Sequence, residues 1–187
     1  MPIGVLALQG DVREHIHLLT ELGSAAVEVR TVEQLATCDG LVIPGGESTT
    51  ISKLLVNFGM LEPVKEFVSS KPVLGTCAGL ILLSKEVVGR LPDQQLIGGL
   101  PVTVQRNAYG RQIDSFEAEI NVESFGSPFH AVFIRAPRIV EADGAVEILA
   151  KFGDDIVLAK QKNVLVASFH PELSPDKRIH EMFVKEI

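Results

Sequence analysis

Cysteine is scarce in this chain of 187 residues, and positive charge is outnumbered, with 17 Lys and Arg against 24 Asp and Glu. Two cysteines, Cys38 and Cys77, cannot form a disulfide framework, and in a reducing compartment they read as free thiols. No Cys/His spacing matches a zinc site: His15 and His17 stand two apart on a helical stretch and point in different directions, while His130 and His180 stand alone. The formal net charge of -7 excludes a nucleic-acid partner held by general basicity. Arg106, Arg111, Arg135 and Arg138 form the only local excess of cations, which reads as solvated surface or a small anion site. Long apolar runs are also missing. The opening MPIGVLALQGDVREH is too short in apolar residues for a signal peptide, and no later stretch would span a bilayer, so a cytoplasmic protein without a membrane partner is expected. With no internal repeat, low-complexity tract or linker, residues 1–187 read as one domain, large enough to bury its own core.

What is present is a rhythm. Ile3 to Leu8 reads as a buried strand and Val12 to Leu22 as a helix, with Val12, Ile16, Leu19 and Leu22 on one face and Gly23 closing it. Ala26 to Arg30 is the next strand, then a short helix whose Thr31 and Gln34 fit a capping box. Leu41 to Pro44 leads into GGESTT and a helix from about Thr49, and Val73 to Gly75 into a helix from Ala78 to Lys85. Strand, crossover helix, strand implies a parallel sheet covered on both faces. After Gly98 the strand-like segments Val102 to Gln105, Ser115 to Val122, Ala131 to Ile134, Val146 to Phe152, Ile156 to Lys160 and Val164 to Phe169 are separated by hairpin-sized breaks such as Gly153-Asp154-Asp155 and Lys162-Asn163. They predict antiparallel additions to the same sheet. Ser174-Pro175-Asp176 has the composition of the start of a last helix. The fold class expected is a three-layer α/β/α sandwich, flavodoxin-like, with a mostly parallel central sheet.

Three junctions carry chemistry. Gly75-Thr76-Cys77-Ala78-Gly79 is a GxCxG turn between strand and helix, the thiol counterpart of a nucleophile elbow. Small flanking residues permit the sharp turn, and the helix N-terminus with the amide of Ala78 favours both a thiolate and a developing oxyanion. The alternative is a small buried cysteine packing helix against strand. Gly45-Gly46-Glu47-Ser48-Thr49-Thr50 offers the amide of Gly46 to an oxyanion, or a phosphate cradle at a helix start. A phosphate loop needs lysine beside the hydroxyl residue, whereas Glu47 would repel phosphate. A tight turn with a Ser/Thr cap explains the glycines and Ser48 but not the acid. Finally, SFHPEL at 168–173 follows an apolar strand; in extended chain His170 and Glu172 would share a side, as a base and its orienting acid do, although a surface turn is the plainer reading of His-x-Glu alone. All three follow strands directly, so the carboxyl edge of one sheet could gather them.

In the order GGES, GTCAG, HPE, the sequence resembles the class I (triad) glutamine amidotransferases. LQGDVREH at 8–15, PGGESTT at 44–50, RNAYGRQ at 106–112, DSFEA at 114–118 and FIRAP at 133–137 narrow the resemblance to the glutaminase subunits of pyridoxal 5'-phosphate synthases. The resemblance implies hydrolysis of L-glutamine to L-glutamate and ammonia, with Cys77 as nucleophile, His170 as base and acid, Glu172 as its partner, and Gly46 and Ala78 supplying oxyanion amides. It places glutamine against Gly46, Glu47, Ser48, Arg106, Ile134 and Arg135. It also implies a (β/α)8-barrel synthase partner, in a large assembly with equal numbers of both subunits, to which ammonia passes. No cofactor is expected on this chain. The Gly45-Gly46 junction is the expected switch of the oxyanion site, with the Gln9-Gly10-Asp11 turn coupling it to docking. Two features depart from the pattern: Gln105 stands where glutamate is common, and some relatives continue beyond Ile187. A glutaminase serving another acceptor, such as that of the histidine pathway, a different cysteine hydrolase, and a non-catalytic flavodoxin-like ligand-binding module are the alternatives.

Overall fold

The computed structural model describes residues 1–106 and 115–187. Most of RNAYGRQ, Arg111 and the first residue of DSFEA therefore lie outside the described residues. The first half follows the predicted alternation. Strand β1 (Pro2–Leu6) leads to helix α1 (Val12–Glu21), β2 (Ala25–Val29) to α2 (Val32–Ala36), and β3 (Gly40–Ile43) to α3 (Ser48–Asn57). A fourth helix, α4 (Leu61–Ser70), follows without an intervening strand, then β4 (Val73–Thr76) and α5 (Ala78–Leu83). The capping box at Thr31 and Gln34 forms, and Gly23 ends α1 at φ 78° with its amide on the Thr20 carbonyl.

Helix α4 was not expected; its Pro63 falls in the first turn, where the missing amide costs nothing. The helix after Cys77 is shorter than predicted. It stops at Leu83, where Ser84 turns extended and returns its hydroxyl to the Ile81 carbonyl at 2.7 Å, and Ser84–Val88 is a strand, β5. The remaining strands are β6 (Leu100–Gln105), β7 (Ser115–Ile120), β8 (Phe129–Ile134), β9 (Arg138–Ala142), β10 (Glu147–Phe152), β11 (Asp155–Gln161) and β12 (Val164–Ala167), before the last helix, α6 (Arg178–Val184). That helix starts later than predicted. Ser174 accepts the Asp176 amide and Asp176 the Arg178 amide, so both residues stabilise a turn ahead of it.

The main sheet runs β2-β1-β3-β4-β12-β11-β9-β6-β5, with β10 paired to β11. From β2 to β12 every pairing is parallel; β11, β9 and β10 are antiparallel additions. One expectation fails here: β7 and β8 do not join this sheet but form a hairpin of their own. The reason lies in their alternation. Phe129, Ala131 and Phe133 on one face are fully buried, and Phe133 packs on Phe169, just past β12, and on Phe152 of β10 at 5.6 and 5.8 Å between ring centroids while stacking on Phe116 at 4.6 Å. Burying each of these rings contributes about 2–3 kcal/mol, more than edge pairing with one face left wet would. The hairpin therefore lies across the sheet and brings its end, Ile134 and Arg135, over the carboxyl edge. No helix among the described residues is long and apolar enough to cross a membrane.

Helix α5 sits hard against the sheet. A Cβ on Gly79 would lie 2.1 Å from the Ile43 carbonyl oxygen, whereas one on exposed Gly144 would meet nothing within 4 Å. Gly79→Ala should therefore lower stability by roughly 1–3 kcal/mol, and Gly144→Ala should stay within about 0.5 kcal/mol of the unsubstituted chain. Urea unfolding checks both; equal midpoints would show that the elbow tolerates a wider spacing.

Candidate active site

Four neighbouring strands, β1, β3, β4 and β12, point their carboxyl ends the same way and release their loops side by side. Those loops are Gln9 to Asp11, Gly45 to Ser48, Cys77 itself, and Ser168 to Glu172. With Arg106 after β6, Ile134 at the end of β8 and Arg135 after it, they enclose a cavity of about 330 Å³, lined by Gln9, Asp11, Gly46, Glu47, Ser48, Cys77, Ile81, Arg106, Ile134, Arg135, His170 and Leu173. Of the residues predicted from sequence, Cys77, His170, Gly46, Glu47, Ser48, Arg106, Ile134 and Arg135 meet at this cavity. Ala78 and Glu172 lie behind its wall, 1% and 6% exposed.

Cys77 holds φ 47°, a left-handed conformation strained for a residue with a side chain. The strain is tolerable because the strand before it is locked between β3 and β12 and the helix after it begins at once. Arg135 is held at φ 42° directly across the cavity, following Ile134, whose carbonyl oxygen is 3.9 Å from Cys77 Sγ. Strained backbone thus stands on both sides of the sulfur.

His170 is buried at 5% exposure. Its Nδ1 lies 2.7 Å from Glu172 Oε1, inside hydrogen-bond range, and 3.3 Å from Asp11 Oδ2. The contact with Glu172 is not made by extended chain, as the i, i+2 argument supposed. Pro171–Leu173 form a single 3-10 turn with proline at its head, which folds the carboxylate back under the ring. Burial disfavours the imidazolium, but hydrogen bonds to Asp11, Cys77 and Glu172 outweigh it and push the His170 pKa up to about 12. A cationic ring beside a cysteine is a setting that suits a nucleophilic sulfur. Burial conversely pushes the Glu172 carboxyl up from its ordinary value, opposed by His170.

Glu47 has a structural explanation that its sequence context did not supply. It is itself the N-cap of α3, accepting the amides of Thr49 and Thr50 together with both their hydroxyls, and Arg106 approaches it at 3.3 Å. Although burial opposes the charge, these bonds hold its carboxyl at about 2. Ser48 accepts a hydrogen bond from Gln94 Nε2 at 3.2 Å. The arginine group divides: Arg106 and Arg135 face the cavity, while Arg138 is 2.5 Å from Asp155. His130 does not stand alone either, since Glu117 and Glu119 hold its two nitrogens at 2.9 Å each.

The Gln9–Asp11 turn does reach this edge. Asp11 donates its amide to the Gly45 carbonyl at 3.2 Å, Gln9 Oε1 accepts the Glu47 amide at 2.8 Å, and a Cβ on Gly10 would fall 1.8 Å from the Gly45 oxygen. The Asp11 carboxylate at His170 was not anticipated, nor was His15, 3.4 Å from Glu172. Its position on the apolar face of α1, beside Leu18 and Leu19, is the signal that could have found it. Asp11, His170 and Glu172 could also present ligand atoms to a metal, all within 4.8 Å of one another, but in this arrangement His170 Nδ1 faces both carboxylates, 2.7 Å from Glu172 Oε1 and 3.3 Å from Asp11 Oδ2. Asp11→Asn should lower the His170 pKa and slow alkylation of Cys77 by iodoacetamide at about pH 6–7 several-fold. An unchanged rate would show that the Asp11 charge does not act on the ring.

Comparison with known proteins places this geometry. The family model described as the SNO glutamine amidotransferase family matches residues 5–187. "Pyridoxal 5'-phosphate synthase subunit PdxT" of Frankia alni is 55% identical over 97% of this chain and 92% of its own length. A solved structure described as a glutamine amidotransferase superposes with a TM-score of 0.93 at 49% identity, covering 98% of this chain and 97% of that one. PurLQS from Thermotoga maritima, at 15% identity and a TM-score of 0.71, covering 98% of this chain and 97% of its own, shares the fold. The near full-length match means that this chain belongs to the SNO glutamine amidotransferase family.

Proposed function

We propose that this chain is the glutaminase subunit of a pyridoxal 5'-phosphate synthase, hydrolysing L-glutamine to L-glutamate and ammonia and passing the ammonia to a (β/α)8-barrel synthase subunit in an assembly of equal subunit numbers. It would act in the cytoplasm and carry no cofactor. The observation that supports the reading most is the line Cys77, His170, Glu172 at the wall of a cavity whose 330 Å³ suits a free amino acid. Arg106 and Arg135 suit the α-carboxylate of such a ligand, and Glu47 and the Ile134 carbonyl its ammonium.

The chemistry follows from the geometry. His170, held by Glu172 at Nδ1, keeps the proton of the Cys77–His170 pair as an imidazolium, and the sulfur attacks the side-chain amide carbon of glutamine as the thiolate. The oxyanion falls to the amides of Gly46 and Ala78, the first from a glycine at φ 151°, the second at the head of α5. His170 protonates the departing ammonia, then activates the water that hydrolyses the glutamyl thioester. Glu172 stabilises the imidazolium at both steps without itself transferring a proton. Ammonia is useful to an acceptor only as the neutral amine, so the site has reason to fire when docked. The Gly45-Gly46 peptide, gripped through the Gln9–Asp11 turn, is the element that docking would move.

Ammonia release from glutamine, measured on the purified chain with and without its synthase, tests the reading. Activity should rise strongly on adding the synthase, Cys77→Ala and His170→Ala should each lose at least about 1,000-fold, and Glu172→Gln should leave a measurable remainder. Turnover by Cys77→Ala equal to that of the unsubstituted chain would end the proposal.

A further inference from the structure

Behind Glu172, away from the cavity, lies a buried polar cluster that this chemistry does not use. His15 on α1 is wholly inaccessible. Its Nδ1 is 2.8 Å from Nε2 of His180 on α6, and its Nε2 is 3.3 Å from Thr76 Oγ1 and 3.4 Å from Glu172 Oε2. The Glu172 oxygens have different fates. Oε1 is taken by His170, whereas Oε2 is buried with no hydrogen-bond partner among the described residues, and the His15 imidazole faces it at 3.4 Å. An ionised carboxylate oxygen shut away from water needs a donor.

The placement of hydrogens decides what His15 can do. Two imidazoles in contact at 2.8 Å share one hydrogen, and burial together with their mutual repulsion keeps His15 well below its ordinary pKa; burial holds His180 at about 4. Both rings are therefore neutral. If His15 donated from Nδ1, the lone pair on its Nε2 would face the carboxylate and His180 would bury an unpaired Nδ1–H. If His180 donates from Nε2 instead, His15 carries its hydrogen on Nε2, which faces Thr76 Oγ1 at 3.3 Å and Glu172 Oε2 at 3.4 Å, and on His180 it is an acceptor, Nδ1, that is without a partner among the described residues, as it is here. The second arrangement satisfies both donors.

We propose that His15 is a positioning residue for the triad: as the neutral Nε2–H tautomer, fixed by His180, it donates to Glu172 Oε2 and keeps that buried carboxylate ionised and aimed at His170. The titratable groups facing this pair are His170 after β12, Asp11 at the start of α1 and His180 on α6, with Cys77 beyond His170. Without the donor, burial raises the Glu172 carboxyl further. As pH falls, Glu172 then protonates sooner, and His170, the group beside Cys77, loses its anionic partner at a higher pH. Its effect on turnover rests on the glutaminase reading; its effect on the Cys77 thiol does not.

Three substitutions separate donation from packing. His15→Gln can place an amide donor where Nε2 was, His15→Asn reaches only the Nδ1 position near His180, and His15→Leu supplies neither. The acid limb of Cys77 alkylation by iodoacetamide, followed at the Cys77 peptide, should move up by roughly one pH unit in His15→Leu and His15→Asn and return toward its original place in His15→Gln. With glutamine and the synthase, kcat near neutral pH should fall by about tenfold in the first two while KM changes little. Identical limbs in all four proteins, or the same displacement in all three variants, would overturn the proposal. Nitrogen NMR of the unsubstituted chain is independent of whether any variant folds: His15 should be neutral with its hydrogen on Nε2 from about pH 5.5 to pH 8, and an Nδ1–H tautomer or a cation would equally overturn it. Absence of glutamine turnover in every protein, alongside the expected alkylation pattern, would reject the glutaminase reading and leave this inference standing.

Discussion

A carboxylate shut away from water must be held by donors or lose its charge, and the arrangement around Glu172 is a response to that requirement. One oxygen is 2.7 Å from His170 Nδ1; the other is turned toward the imidazole of His15. The 3-10 turn at Pro171–Leu173, the position of α1 against the sheet and the approach of α6 all converge on this one side chain. Because the charge is buried, it acts on His170 with little screening, and His170 acts in turn on Cys77. Asp11, on the solvent side of the same ring, adds a second carboxylate without being buried itself.

Around this electrostatic line the backbone is held where a free chain would not remain. Cys77 and Arg135 both have positive φ, and each is flanked by structure that does not yield: β4 between two parallel neighbours, and a hairpin pinned by buried phenylalanines. Gly10, Gly46 and Gly79 stand where any Cβ would collide with a neighbouring loop or strand. The elbow is sharp because three chain segments are packed closer than side chains allow. The sulfur is thereby presented to the cavity, while its helix stays in contact with Ile43.

The motifs were legible because each is a local solution to a local problem. A strand-to-helix turn around a nucleophile requires small residues on both sides, so GTCAG announces itself, and the alternation of apolar runs with helix-period segments announces the parallel half of the sheet. Other features could not be read this way. That Glu47 caps α3 was hidden, because nothing in GGESTT reveals that its side chain curls back to the amides of Thr49 and Thr50. His130 looked solitary because its partners are across a hairpin, and β7 and β8 looked like sheet extensions because their alternation specifies a buried face without specifying what covers it.

By itself, the sequence determined which residues are chemically able to act and which strand ends carry them, since turn sterics and hydrophobic periodicity operate between residues close along the chain. The tertiary structure alone decided how those ends are joined into one site. The order β1-β3-β4-β12 sets Asp11, Gly46, Cys77 and His170 side by side, the phenylalanine-pinned hairpin lays Ile134 and Arg135 over them, and α1 and α6 bring His15 and His180 together from 165 residues apart. Such contacts arise from burial, which is non-directional and depends on the whole packed surface, and no short stretch of sequence encodes it.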